Sequence, residues 1–178
     1  MKTIFSWRPE KAIFPRPALK KFKLFAEEAV RLTRCGITGE LSVTFVSAKE
    51  MEKANQQLVG HTGLTDVICF DYREAAMPGI PEENTVWEDE ESDAQVDLIV
   101  CPAAALLQAD KRNIPYAKEL ALYVVHGLLH AAGNDDLVPA LKRKMRRREK
   151  QTMDELEKIF DLQEIFPEPV RGEARNKI

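Results

Sequence analysis

The stretch that decides the fold is YAKELALYVVHGLLHAAGNDD, residues 116–136. Most of its positions up to Ala132 are apolar, which predicts a helix buried on nearly all sides at the centre of the molecule. His126 and His130 are four residues apart, so their side chains leave one helix face about one turn from each other. Gly133 permits the left-handed turn that ends a helix, and this turn directs Asp136 back toward the two imidazoles.

This pattern predicts a metal site. Two neutral imidazoles and a carboxylate can hold Zn²⁺ and leave one position open, as in catalytic sites. We therefore expect one zinc ion per chain, held by His126, His130 and Asp136, although the same donors also suit iron, nickel or manganese. The alternative is that the histidines are hydrogen-bonded core residues and that the acids only cap the helix. Two of the three histidines of the chain fall on this apolar helix, immediately before a glycine and two carboxylates, which favours the metal.

Gly127 limits the reactions that such a site could catalyse. The histidine pair resembles a zincin helix, but Gly127 stands where zincins have the glutamate that serves as general base. Peptide hydrolysis by that route is disfavoured. Attack of a metal-bound water on a phosphodiester remains available, because it does not require a carboxylate beside the first histidine.

Around the central helix, periodic apolar residues and β-rich runs alternate along the chain. They predict helices over 18–34, 47–58, 102–112 and 138–160, and strands over 40–46, 67–70 and 96–101. The helix after the first strand should begin at a capping box formed by Ser47 and Glu50. We predict an α+β fold in a single domain over 1–166, with a small mixed β-sheet of about four strands packed with helices around the central apolar metal-binding helix. Residues 167–178 are expected to form a flexible tail.

Composition limits the class of protein. The chain has 178 residues and 44% hydrophobic content, enough for one core. Its sequence lacks both a run of about 20 apolar residues and the apolar segment of a signal peptide, so we expect a cytoplasmic protein without a membrane partner. Three widely spaced cysteines do not suggest a disulfide framework or a cysteine metal cage.

Charge is local although the net charge is only -3. Acidic residues concentrate in 82–93, within a segment expected to be a mobile surface loop. A basic run follows the metal turn, too dense for the few nearby acids to pair, which favours contact with nucleic-acid phosphates over a merely solvated helix face. The predicted nucleic-acid-binding residues are Lys142, Arg143, Lys144, Arg146, Arg147 and Arg148.

Several motifs together resemble one family. The YbeY family, endoribonucleases of bacterial rRNA maturation, has the hallmark His-Gly-x-Leu-His-x-x-Gly-x-Asp-His, which corresponds here to 126–136. TDVICF at 65–70, VDLIVC at 96–101 and ELSVTFVSAKEMEKAN at 40–55 are similar to further family segments. The resemblance implies metal dependence and rRNA or a ribosomal subunit as partner.

The chain departs from the family at two positions. Asp136 stands where the family has a third histidine, and its negative charge should raise the pKa of a bound water relative to a third imidazole. Val59 stands where the family has an arginine thought to contact phosphate. His61, two residues later, is a candidate to supply a polar group there, although a histidine in a loop is more often simply solvated.

The preferred function is therefore a metal-dependent endoribonuclease of rRNA processing, whose metal-bound water attacks an RNA phosphodiester. The alternative is a divergent, non-catalytic RNA- or ribosome-binding module that retains the metal site. A metal-dependent hydrolase for a small or peptide substrate ranks last, because only the zincin-like helix supports it.

Overall fold

The computed structural model describes residues 1–11, 13–73 and 94–171. Four strands form one sheet: β1 Lys2–Trp7, β2 Glu40–Phe45, β3 Val67–Asp71 and β4 Ala94–Val100. The helices are α1 Leu19–Thr33, α2 Ala48–Ala54, α3 Pro102–Arg112, α4 Tyr116–Ala131, α5 Pro139–Ile159 and α6 Leu162–Ile165. These elements confirm the predicted α+β class with a small mixed sheet.

The sheet has the strand order β1-β2-β4-β3. β1 pairs parallel to β2 and β2 parallel to β4, whereas β3 forms an antiparallel edge beside β4. β1 was not predicted, although TIFSW at 3–7 is rich in strand-forming types. Pairing with the almost fully buried β2 stabilises this short segment as a strand.

Aromatic packing joins the first helix to the end of the described chain. α1 buries Phe22 and Phe25, three residues apart, and both contact the ring of Phe166 edge-on. Beyond that ring, the Val170 N–H donates to the Ile13 carbonyl at 2.9 Å. The predicted flexible tail includes 172–178, which lie outside the described residues.

The predicted start of α2 is confirmed. The Ser47 hydroxyl accepts the Glu50 N–H at 3.4 Å and the Glu50 carboxylate accepts the Ser47 N–H at 2.8 Å, which completes the capping box. The helix then widens into a π-helical turn, Asn55–Val59, instead of continuing as an α-helix to residue 58. The buried Asn55 side chain donates to the Gly63 carbonyl at 2.9 Å and so closes the loop that follows.

α4 is the central helix, as predicted, and packs against the sheet and against α1, α3, α5 and α6. Gly127 faces the sheet at its closest approach: a Cβ built there would lie 2.8 Å from Leu98 Cδ2 and 3.1 Å from Val67 Cγ2. A larger side chain at this position would therefore have to displace Leu98 and Val67. This close packing disfavours a glutamate here, the residue that zincins have at this position.

Three remaining expectations concern the cysteines, the acidic segment and membrane spans. Cys35, Cys69 and Cys101 are all free thiols, as expected. The acidic segment 82–93 lies outside the described residues. Among the helices that the structure describes, none has the length and apolar character needed to cross a membrane.

Candidate metal site and adjoining cleft

One stripe of α4 carries the polar side chains of the site. Glu119, Tyr123, His126 and His130 follow one another at spacings of four, three and four residues, which places them on one helix face. The rest of the helix is almost entirely buried and apolar. Polar groups on such a helix need partners, and Glu119, Tyr123 and His126 line a cleft of about 520 Å³ between α3, α4 and α5.

The structure brings the three predicted metal ligands together. His126 Nε2 lies 3.0 Å from His130 Nε2, and His130 Nε2 lies 3.9 Å from Asp136 Oδ1. One ligand atom from each residue falls within 4.8 Å of the others. The described residues thus contain a His-His-Asp cluster that could hold a metal ion.

The two separations measured from His130 Nε2 are close to those between ligands of one metal ion. Donor atoms about 2.0–2.1 Å from a tetrahedral zinc lie about 3.3 Å from each other, a value between 3.0 and 3.9 Å. The second nitrogen of His126 is engaged on the side away from the cluster, because its Nδ1 lies 2.6 Å from Glu149 Oε1. With a hydrogen on that Nδ1, the Nε2 lone pair of His126 faces His130 Nε2, where a cation can bind it.

Glu149 on α5 is the outer partner of the site. Burial lowers the pKa of His126, but the hydrogen bond to Glu149 and the negative charges of Asp66 and Asp136 outweigh burial, so the net shift is upward. Burial lowers the pKa of His130, and the neighbouring His126 lowers it further. A carboxylate behind a ligating histidine fixes the orientation and tautomer of the ring and increases its basicity.

The turn after α4 forms as predicted. Gly133 adopts a left-handed φ of 74° and its N–H donates to the His130 carbonyl at 2.8 Å. The Asp135 carboxylate accepts the N–H groups of Asp136 at 2.6 Å and of Leu137 at 3.0 Å. Asp135 therefore stabilises the turn, and Asp136 is the carboxylate that joins the cluster.

The cleft beside the cluster contains an ion pair that was not predicted from the sequence. Arg112, in the last turn of α3, donates from Nη1 to Glu119 Oε2 at 3.1 Å, and the same nitrogen lies 3.0 Å from Oε1. The Glu119 side chain is fully buried, whereas that of Arg112 is 54% exposed. Burial raises the pKa of Glu119, although Arg112 and Tyr123 partly oppose the shift.

The basic run is distributed over several faces of α5. Lys142 and Arg146, one turn apart, line the cleft together with His126 and Asp136. The Arg148 guanidinium turns away and donates to the Thr33 carbonyl at 2.7 Å. Arg143, Lys144 and Arg147 are exposed and are not among the residues that line the cleft.

The two residues singled out near the π-helical turn lie apart from the cleft. His61 is exposed, and its backbone N–H donates to the Asn55 carbonyl at 3.2 Å. Val59 is 43% exposed. Neither residue is among those that line the cleft.

Sequence reasoning missed Glu149, Arg112 and Glu119 as parts of this site. One signal for Glu149 was present, because it is the only acid in 137–153. The stripe spacing offered a weaker signal for Glu119. Arg112 had none, since its position depends on how α3 packs against α4.

The fold and the site define a class of protein: a mixed α+β domain whose central helix carries three potential metal ligands beside a cleft lined in part by cations. The chain belongs to the YbeY family of endoribonucleases, because the family model described as Endoribonuclease YbeY matches residues 10–157.

Individual relatives agree with this assignment. Proteins named Endoribonuclease YbeY are 36% identical to the chain over 106 residues in Salinispora tropica, 33% over 110 in Cutibacterium acnes and 32% over 117 in Rhodococcus opacus. These alignments cover 60%, 62% and 65% of this chain and 67%, 67% and 62% of the relatives. A solution structure from Thermotoga maritima shares the fold, with a TM-score of 0.52 and 23% identity over 86% of this chain and 88% of the other.

Proposed function

We propose that this chain is a metal-dependent endoribonuclease of rRNA processing in the cytoplasm, with zinc held by His126, His130 and Asp136. The observation that carries the proposal is the facing pair of imidazole Nε2 atoms, 3.0 Å apart, with Asp136 beside them in a cleft that also contains Lys142 and Arg146. A zinc ion held by these three residues would activate a water and stabilise negative charge on a phosphate.

The residues of the chain perform the remaining tasks. Glu149 holds His126 so that its Nε2 faces the cluster. Lys142 and Arg146 add positive charge to a cleft that is also lined by acids, and they attract the RNA backbone and align phosphates with the cluster. The exposed Arg143, Lys144 and Arg147 extend this charge along α5 and contribute to affinity without reading bases.

The experiment measures metal and activity together. Purified protein is analysed for metal and assayed on rRNA fragments, beside His130→Ala and Asp136→Ala, which should each lose stoichiometric metal and cleavage. His61→Ala serves as the matched control for metal content, since this histidine lies outside the cleft. If His130→Ala cleaves as well as the unaltered protein, the enzyme proposal fails. If Asp136→Ala keeps its metal, the third ligand is a different group.

A second candidate is a non-catalytic RNA- or ribosome-binding module that retains the metal. It is favoured by Val59, an uncharged residue where the similar family segments have an arginine, and by Asp136 in place of a histidine. Stoichiometric metal with salt-sensitive RNA binding and no turnover would support this candidate over the enzyme. A peptide hydrolase of the zincin type is disfavoured, because Gly127 stands in place of the general base and packs closely against Leu98 and Val67 of the sheet.

A further inference from the structure

The two side chains of the Arg112–Glu119 ion pair differ strongly in solvent exposure. The carboxylate is fully buried and Oε1 lacks hydrogen-bond geometry to any described donor, whereas about half of the guanidinium surface is exposed. Replacing a buried charge pair by apolar residues is often neutral or stabilising, so stability gives little reason to keep this pair. Its geometry suits a different task, in which a buried acid fixes an exposed arginine.

The guanidinium keeps donors for a ligand. Arginine has five N–H donors, and in the part of the chain that the structure describes the hydrogen bond of Arg112 is the one from Nη1 to Glu119. Nε and Nη2 thus have no partner among the described residues, on a side chain that Glu119 holds in one orientation. The planar fork that these two nitrogens form matches two oxygens of one phosphate, and its preorganisation reduces the entropy lost on binding.

The position of the pair relative to the cluster is set by α4. Glu119 precedes His126 by seven residues on the same stripe, which corresponds to about 10 Å along the helix at 1.5 Å per residue. Arg112 and His126 both line the one cleft. The arginine is therefore too far along the helix to hold the phosphate that meets the cluster, but it can hold a phosphate further along the same strand.

The other cations lie beyond the cluster in the opposite direction. α4 and α5 run antiparallel, because His126 contacts Glu149 and Lys118 contacts Glu157. Lys142 and Arg146 precede Glu149 on α5, so they lie toward the C-terminal end of α4, on the far side of His126 from Glu119. The cleft thus has cations at both ends and His126 and Asp136 between them, and Asp66, Glu119 and Glu149 line it as well.

We propose that Arg112, held in place by Glu119, binds a backbone phosphate of the RNA strand that flanks the bond cleaved at the His126–His130–Asp136 cluster. This inference rests on the proposed function and extends it by one phosphate-binding residue on α3. Arg112 acts on the affinity for longer strands and not on the bond-breaking step. Its contribution should be absent for a substrate too short to reach it.

The test uses the full-length protein with the double substitution Arg112→Gln and Glu119→Gln, which keeps a polar pair and removes both charges. Arg112→Lys keeps the charge and loses the fork. Arg171→Gln is the matched control, because Arg171 is 46% exposed and pairs with Asp110 through Nη1, but does not line this cleft. Metal content and thermal unfolding are measured first, and both should match the unaltered protein.

Binding is then measured by fluorescence anisotropy with single-stranded RNA of six and of two nucleotides, in chelator, between 50 and 200 mM salt. For the six-nucleotide strand, the double variant should bind about 10-fold more weakly, and its log–log salt slope should be smaller by about 0.7, the value for one phosphate contact. Arg112→Lys should keep the slope and bind with intermediate affinity. In cleavage assays, KM should rise about 10-fold and kcat should change less than about 2-fold.

The outcomes distinguish a failure of this inference from a failure of the proposed function. If the double variant binds the longer strand with unchanged affinity and slope, Arg112 binds no phosphate and the inference is overturned. The same conclusion follows if Arg171→Gln weakens binding equally, or if the two-nucleotide strand is affected as strongly as the longer one. If the unaltered protein neither binds nor cleaves RNA, the proposed function itself fails.

Discussion

Replacement of Gly127 by alanine tests how closely α4 packs on the sheet. In an exposed helix this change stabilises by about 1 kcal/mol, because alanine has the higher helix propensity. Here the new Cβ would lie 2.8 Å from Leu98 Cδ2 and 3.1 Å from Val67 Cγ2, whereas apolar carbons pack best about 3.5–4.0 Å apart. Leu98 is fully buried in a central strand and cannot move aside freely.

The expected result follows from the two opposing contributions. Overpacking a core by one methyl group costs about 1–3 kcal/mol, which exceeds or cancels the propensity gain. We expect a net loss of about 1 kcal/mol in the free energy of unfolding and a Tm lower by about 3 °C. The measurement is chemical and thermal denaturation of metal-free protein, since bound metal would add its own stabilisation.

Leu98→Ala supplies the control through a double-mutant cycle. On its own it should destabilise by about 2–5 kcal/mol, because it leaves a cavity in the core. In that background Gly127→Ala should be neutral or stabilising, since the clashing methyl groups of Leu98 are gone and only Val67 remains close. If Gly127→Ala stabilises the unaltered protein by about 1 kcal/mol, and by the same amount beside Leu98→Ala, the argument from close packing is refuted.

Two further predictions concern polar contacts around α4. Glu149→Gln should weaken metal affinity about 10- to 100-fold, because a neutral amide orients and polarises His126 less well than a carboxylate. A chelator competition measures this affinity, and an unchanged value would mean that Glu149 does not support the metal site. Arg73 donates to the carbonyls of Cys35 and Ala131 and to Asp71, so Arg73→Met should lower the free energy of unfolding by about 2 kcal/mol at neutral pH. Arg73 hydrogen bonds hold the pKa of Asp71 below its ordinary value of 3.8, so this contribution is complete above that pH and declines as pH falls through the folded-state pKa.

The pH dependence separates the ion pair from the other contacts of Arg73. The loss in Arg73→Met should be smaller at pH 3 than at pH 7, as measured by urea denaturation of both proteins. A difference that stays constant between the two pH values would mean that only the carbonyl contacts contribute. Lys23→Met, on the exposed surface of α1, is the control for removing a positive charge.

Much of the site could be predicted from sequence because it depends on neighbours along the chain. The spacing of His126 and His130, the left-handed turn at Gly133 and the capping box of α2 are consequences of helix periodicity and of local backbone hydrogen bonds. These same features also supported the resemblance to the YbeY family. The edge strand β1 was missed because its stability comes from pairing with β2, about 38 residues further along the chain.

The sequence by itself therefore determined which residues approach one another within one helix and the turn that follows it. Only the tertiary structure decided which of the six predicted cations face the cleft, since that depends on the rotation of α5 about its axis when it packs on α4. It placed Lys142 and Arg146 beside the cluster and directed Arg148 to the carbonyl of Thr33. It likewise brought Glu149 to His126, because contacts between residues on different helices follow from packing and not from spacing.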